Sequence, residues 1–320
     1  MDNRLLDIIG FQHAYPSQFI SEETKLRGEK EPALLWVDSE TGHGVLDPVH
    51  WVPLDHYSSD YRTEASGNFD GTRITPEEHL EIYRRLDKQQ FKRVANLLGE
   101  NSKVLEIGCS YGGVLREVMS YGVKVCHAVE PNVEDARFVK RALPEVSVSQ
   151  GGFLELDLPE DYYDVVMSFQ VLEHVASPRL FLEKILRVLK KGGAIHLEVP
   201  NHNAALLRYY AEAEHSSFYY HRNHIHYFTS ESLSQLCKLY GYEGLVNCEL
   251  TYPFFNHVYW HFNQAPQITA KLALNTPQPC NDLTATGHSI NKFFRDVEKQ
   301  YCQLIQSHGV GDILVYQGRC

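Results

Sequence analysis

The stretch VLEIGCSYGGVL, Val104–Leu115, runs from an apolar strand through a glycine-containing turn towards a helix. A turn of this kind, opening a helix behind a buried strand, is the first unit of a parallel α/β sheet and holds a ligand with backbone amides. Three of its features narrow the ligand. A phosphate-binding loop ends in Gly-Lys-Ser/Thr so that the lysine reaches the phosphates, and no lysine lies between Lys103 and Lys124. A dinucleotide loop would use Gly108, position 110 and Gly113 as G-x-G-x-x-G, with an acidic ribose ligand about 20 residues on. Glu130 meets the last condition, but Ser110 stands where a glycine lets the backbone approach a pyrophosphate. Glu106, at the mouth of the loop, would repel a pyrophosphate and attract a ligand with cationic amino and sulfonium groups.

Outward from this loop the sequence alternates. KVLEIGC, KVCHAVE, VSVSQG, YYDVVMSF and AIHLEVP read as strands, and GGVLREVMSYG, NVEDARFVKRAL and SPRLFLEKILRVLKKGG as the helices between them. That order predicts a doubly wound α/β fold, its central strands buried on both faces. A long helix precedes it in TPEEHLEIYRRLDKQQFKRVANLLGE, with Thr75 as N-cap and Pro76 at the first helical position. Residues 1–75 read as an appendage with a few short strands, residues 76–250 as the core, and residues 251–320 as a helical extension ending in a last core strand, DILVYQG.

Composition excludes several classes. With 43% apolar and 22% charged residues the chain is ordinary for a folded globular protein. No run reaches the roughly 18–20 apolar residues of a membrane span, and MDNRLLDIIGFQHAYP lacks the plan of a secretion signal, so a cytoplasmic protein without membrane partners is expected. The seven scattered cysteines form no CxxC pair and predict reduced thiols. A net charge of −11 without a basic cluster disfavours nucleic-acid binding.

The segment EIGCSYGG resembles the E/D-x-G-x-G-x-G first motif of class I S-adenosylmethionine-dependent methyltransferases, with Ser110 replacing the middle glycine. The resemblance continues through AVEPN, YYDVVMSFQVLEHVASP and LKKGGAIHLEVPN, over roughly residues 101–245. It implies a Rossmann-like sheet and S-adenosyl-L-methionine as cofactor. Gly108, Ser110 and Gly112 would pack against the methionine moiety and ribose, Glu130 would accept from both ribose hydroxyls, and Glu106 would help to hold the amino acid end. Phe153, beside Gly152, would line the adenine pocket, a core role being its alternative. Phe169 and Gln170 would flank the methionine end.

Methyl transfer from a sulfonium is an in-line displacement, and a hydroxyl or acidic C–H acceptor also needs a base of near-neutral pKa. His224 and His226 are the candidates, in the segment YYHRNHIHYFT that follows the fifth core strand, and His174 in VLEHV is a third. His221, His224 and His226 could suggest a metal, but on a strand 221 would face away from the other two, so none is expected. Tyr57, Tyr61 and Arg62 are candidates for a flap over the site. The order of parts is similar to sugar C-methyltransferases, without the cysteine-rich motif that opens those enzymes. The expected acceptor is therefore a small molecule, a sugar or glycan hydroxyl or a nucleotide-sugar carbon. A homodimer is compatible with the sequence. The competing readings are an NAD-dependent oxidoreductase or epimerase and a silent scaffold.

Overall fold

The structure, a computed structural model, describes residues 19–53, 56–57, 74–210, 213–281 and 284–320. Tyr61 and Arg62 lie outside the described residues. The described residues open with three antiparallel strands, β1 (Phe19–Lys25), β2 (Pro32–Asp38) and β3 (Gly44–Leu46). The run ALLWV falls in β2, and Pro48–His50 after β3 is a 3-10 turn capped by Asp47. Helix α1 (Pro76–Val94) begins as its sequence dictates. Thr75 Oγ1 accepts the Glu78 amide at 3.2 Å while the Glu78 carboxylate takes the Thr75 amide at 2.7 Å, so two amides with no partner inside the helix are both satisfied.

The alternation follows as β4 (Lys103–Ile107), α2 (Gly113–Tyr121), β5 (Val125–Glu130), α3 (Val133–Ala142), β6 (Ser147–Gln150), β7 (Tyr163–Phe169), α4 (Pro178–Val188) and β8 (Leu189–Pro200). The helix expected to run to Gly193 stops at Val188. LKKGG joins β8 instead, with a register shift between the Tyr163–Leu189 and Val165–Ala194 pairs. Gly192 takes φ +75°, and Lys190 reaches back to Asp164 at 2.6 Å, which holds this bulged start of the strand against β7.

After β8 come α5 (Ala205–Arg208), α6 (Ala213–Tyr219), β9 (His226–Tyr227), α7 (Ser230–Leu239), β10 (Glu243–Glu249), α8 (Phe254–Asn263), α9 (Ala270–Ala273), α10 (Ala285–Ser307) and β11 (Ile313–Arg319). The main sheet has seven strands in the order β10-β11-β8-β7-β4-β5-β6. β4, β5, β6, β7 and β8 are parallel, and β11 inserts antiparallel between β8 and β10. This is the doubly wound α/β fold expected. Strand order reverses between β4 and β7, so the crevice above their carboxyl ends is where such a sheet takes its ligand.

The small sheet, in the order β1-β2-β3-β9, borrows β9 from the segment after β8. That pairing ties the N-terminal strands to the stretch carrying His221, His224 and His226. Helix α1 is fixed to β8, an interior strand of the main sheet, by a buried charge network. Arg93 donates to both oxygens of Glu198 at 2.6 and 2.8 Å, and His196 Nε2 lies 3.0 Å from the same carboxylate. Against the cost of burial, His196 and Arg93 hold the Glu198 carboxyl below its usual range. Among the described residues, no helix is long and apolar enough to cross a membrane.

Candidate active site

The turn after β4 is built on left-handed residues: Gly108, Ser110 and Gly112 have φ of +75°, +51° and +76°. Gly108 is also required sterically, because a Cβ there would lie 2.5 Å from Val171 Cγ2, in the exit of β7. A side chain on Gly113 would run into the Asp87 carboxylate, which α1 lowers onto the start of α2. Ser110 thus keeps the backbone of the glycine it replaces. Its amide donates to Glu130 Oε2 at 2.7 Å, and the Asn132 amide donates to Oε1 at 2.9 Å. Two amides thus orient the carboxylate at the end of β5.

Three carboxylates gather round this turn. Glu106 is 3% exposed, its Oε2 lacks a partner, and burial, then Asp87 and Glu130, push its carboxyl well above the usual range. Burial raises Asp87 to about 7, Arg116 opposing and Glu117 adding to the effect. Asp87 escaped sequence reading because it sits on the buried side of an otherwise charged helix; the signal was an acid beside Leu86 and Gln90 on the face that also carries Val94.

Across the crevice the exit of β7 carries Phe169, Gln170 and a 3-10 turn over Leu172–His174. Gln170 has φ +56° and donates its amide to Glu198 O at 2.8 Å. It is a second left-handed non-glycine facing the first loop, and such strain gathers where function requires it. Phe169 is mostly buried and packs on His196, ring centroids 5.2 Å apart. Phe153 packs on Phe181 at 5.1 Å within the main core.

The three candidate histidines are not equivalent. His226, in β9, is 1% exposed, and its Nδ1 lies 3.1 Å from His43 Nε2, whose other nitrogen meets Ser232 Oγ at 3.3 Å. It belongs to a buried link between the small sheet and α7. His174 and His224 come together, their rings 4.7 Å apart, and each Nε2 lies 3.8 Å from Glu173 Oε1. His174 Nδ1 donates to Asn223 O at 2.6 Å, and Tyr57 Oη also binds that carbonyl at 3.0 Å. Of His221–His226, only His226 lies in a strand, the short β9. His221 and His224 instead sit in a turn with ring centroids 3.8 Å apart, so 221 does not face away. Burial pushes His174 down to about 4 and His226 to about 3, and it holds His224 well below its usual value, His221 and His174 adding to the effect. All three fall short of the near-neutral base the sequence suggested, because each is enclosed, and burial also pushes the Glu173 carboxyl beside His174 and His224 up to about 8.

Residues 79–246 match the family described as "Methyltransferase domain". A curated "Probable S-adenosylmethionine-dependent methyltransferase" of Mycobacterium tuberculosis is 31% identical over 134 residues, 41% of this chain and 47% of that protein. A ubiquinone biosynthesis O-methyltransferase of Cronobacter sakazakii is 30% identical over 128 residues, 35% of this chain and 47% of that protein. A sterol 24-C-methyltransferase of Gibberella zeae is 28% identical over 100 residues, 29% and 26% of the two chains. The chain thus matches less than half the length of each of these relatives. With the family matched across the loop, the carboxylate cluster and the β7 exit, the chain belongs to the methyltransferase-domain family, among the class I S-adenosylmethionine-dependent methyltransferases, whose cofactor is S-adenosyl-L-methionine.

Proposed function

We propose that the protein transfers the methyl group of S-adenosylmethionine to a small-molecule acceptor seated over the exits of β7 and β8, a sugar or glycan hydroxyl or a nucleotide-sugar carbon. The observation that carries the reading is the Glu106–Asp87–Glu130 cluster under the first loop. It suits the ammonium and sulfonium of this cofactor and disfavours a dinucleotide pyrophosphate. Glu130, held by the Ser110 and Asn132 amides, accepts from the ribose hydroxyls. Gly108, Ser110 and Gly112 bring backbone close to the methionine moiety, and Phe169 and Gln170 bound its methyl end. Phe153 supports the adenine side from the core.

The enzyme's part in the displacement is alignment and exclusion of water. Sulfur keeps the electron pair of the broken C–S bond while the acceptor atom forms the new bond to carbon, and the acceptor's proton must leave. His174 and His224, with Tyr57 above them, face the acceptor side, whereas His226 supports the wall behind. Relatives named for O-methylation in ubiquinone biosynthesis and for 24-C-methylation of sterols support a small-molecule acceptor and leave both kinds of methylated atom in play. Incubation with S-adenosylmethionine and a panel of hydroxylated acceptors should release S-adenosylhomocysteine with one of them. Tight binding of NAD in place of S-adenosylmethionine would overturn the reading.

A further inference from the structure

Glu173 is fully buried, and neither carboxylate oxygen has a hydrogen-bond partner on another residue. Burial pushes its carboxyl up to about 8, and the ionised form of a group enclosed in this way calls for a cation beside it. The atoms facing it are ring nitrogens. The Nε2 atoms of His174 and His224 both lie 3.8 Å from Glu173 Oε1, and the three ligand atoms fall within 4.8 Å of one another. Two donors about 2.1 Å from one ion at a tetrahedral angle stand about 3.4 Å apart, so each Glu173–imidazole pair is within about half an ångström of shared coordination. His174 Nδ1–H donates to Asn223 O at 2.6 Å, the tautomer in which Nε2 carries no proton. A carbonyl behind a ligating imidazole is the usual support of a metal ligand. The imidazole side chains are 13% and 14% exposed, giving an ion a way in, while the carboxylate closes the site from below.

We propose that Glu173, His174 and His224 bind one divalent cation of the zinc, manganese, iron or cobalt type at the acceptor side of the cofactor crevice, and that this ion, rather than a histidine base, activates a hydroxyl acceptor. Two nitrogens and one carboxylate suit these ions better than magnesium or calcium, which prefer all-oxygen sets. Three protein ligands leave positions open for the acceptor. A hydroxyl bound there loses its proton to water, its oxygen takes the methyl carbon, and the C–S electron pair stays on sulfur, leaving the thioether. The placement fits: Glu173 and His174 follow Gln170 out of β7, beside the loop that contacts the methionine end. The sequence did not expose the site, because it pairs a turn after β7 with a histidine some fifty residues later, and the obvious grouping of 221, 224 and 226 is the wrong one.

The activating role rests on the methyl-transfer reading; metal binding does not, and the test separates them. The full chain is titrated with Co²⁺ and followed by d–d absorption and calorimetry, and S-adenosylmethionine binding is measured in a separate titration. The expected result is saturable binding of one ion with nitrogen-ligand spectra, weakened on the order of a hundredfold or more in both Glu173→Gln and His224→Asn. Circular dichroism melts establish that each variant is folded. Absence of saturable Co²⁺ and Mn²⁺ binding by the wild type, or equal binding by both folded variants, overturns the site, whatever the cofactor titration gives. Metal binding without S-adenosylmethionine binding keeps the ion site and overturns its role in methyl transfer.

Discussion

Replacing Glu130 by Gln keeps the shape of the side chain and removes its charge. In the structure its two oxygens accept the Ser110 amide at 2.7 Å and the Asn132 amide at 2.9 Å. A glutamine can offer an oxygen to only one of them, so its NH₂ group faces the other amide, donor against donor. A buried amide left unsatisfied costs about 1–3 kcal/mol. At about 2 kcal/mol the melting temperature of the free protein falls by about 4–8 °C. The cofactor loses two charge-assisted bonds to its ribose, each worth about 1.5–3 kcal/mol and partly replaced by neutral ones. A net loss of about 3 kcal/mol weakens binding about a hundredfold. Calorimetric titration with S-adenosylmethionine reads the effect, and an analogue lacking both ribose hydroxyls serves as control, since its affinity should change little. Unchanged affinity for S-adenosylmethionine in a folded Glu130→Gln protein, or an equal loss for the analogue, would refute the assignment of Glu130 to the ribose.

Other consequences follow from the same geometry. Ser110→Gly removes a side chain from φ +51° and should stabilise the protein by about 1 kcal/mol with cofactor affinity unchanged, as thermal melts and titration would show; destabilisation would mean the hydroxyl is needed. Arg93→Met strands the Glu198 carboxylate beneath α1 and should cost about 3–5 kcal/mol in chemical denaturation, a loss under 1 kcal/mol arguing against the network. Burial pushes the Asp87 carboxyl from its ordinary 3.8 up to about 7, so the folded free protein holds this proton more tightly than the unfolded chain does. Its stabilising effect is therefore full at low pH and is lost as pH rises from about 4 to about 7. A cationic cofactor favours the ionised form, so affinity for S-adenosylmethionine should rise with pH up to about 7, with proton release visible as buffer-dependent heats; flat affinity over that range would exclude Asp87 from the cofactor field.

The alternating core was legible because buried parallel strands must be apolar runs and amphipathic helices must repeat, and both patterns survive in KVLEI, DVVMSF and the Pro76 helix. The edge strand β10 was not. Its residues are largely exposed, with Leu245 75% accessible, so no apolar face announces it. The end of α4 was misread because LKKGG has helix-forming lysines, and only pairing with β7 makes it a strand. At the site, Glu106, Gly108 and Glu130 could be singled out in sequence because each sits at or just past a strand end. Asp87, Glu173 and the opposed fates of His224 and His226 depend on which elements meet across the crevice. Two residues' difference in sequence puts one imidazole beside Glu173 and the other against His43.

The central claim is that the turn after β4 holds S-adenosylmethionine and not a dinucleotide. Parallel calorimetric titrations of the full chain with S-adenosylmethionine and with NAD test it most directly. Saturable one-to-one binding of S-adenosylmethionine with no heat from NAD is the predicted result; binding of NAD without S-adenosylmethionine would contradict it.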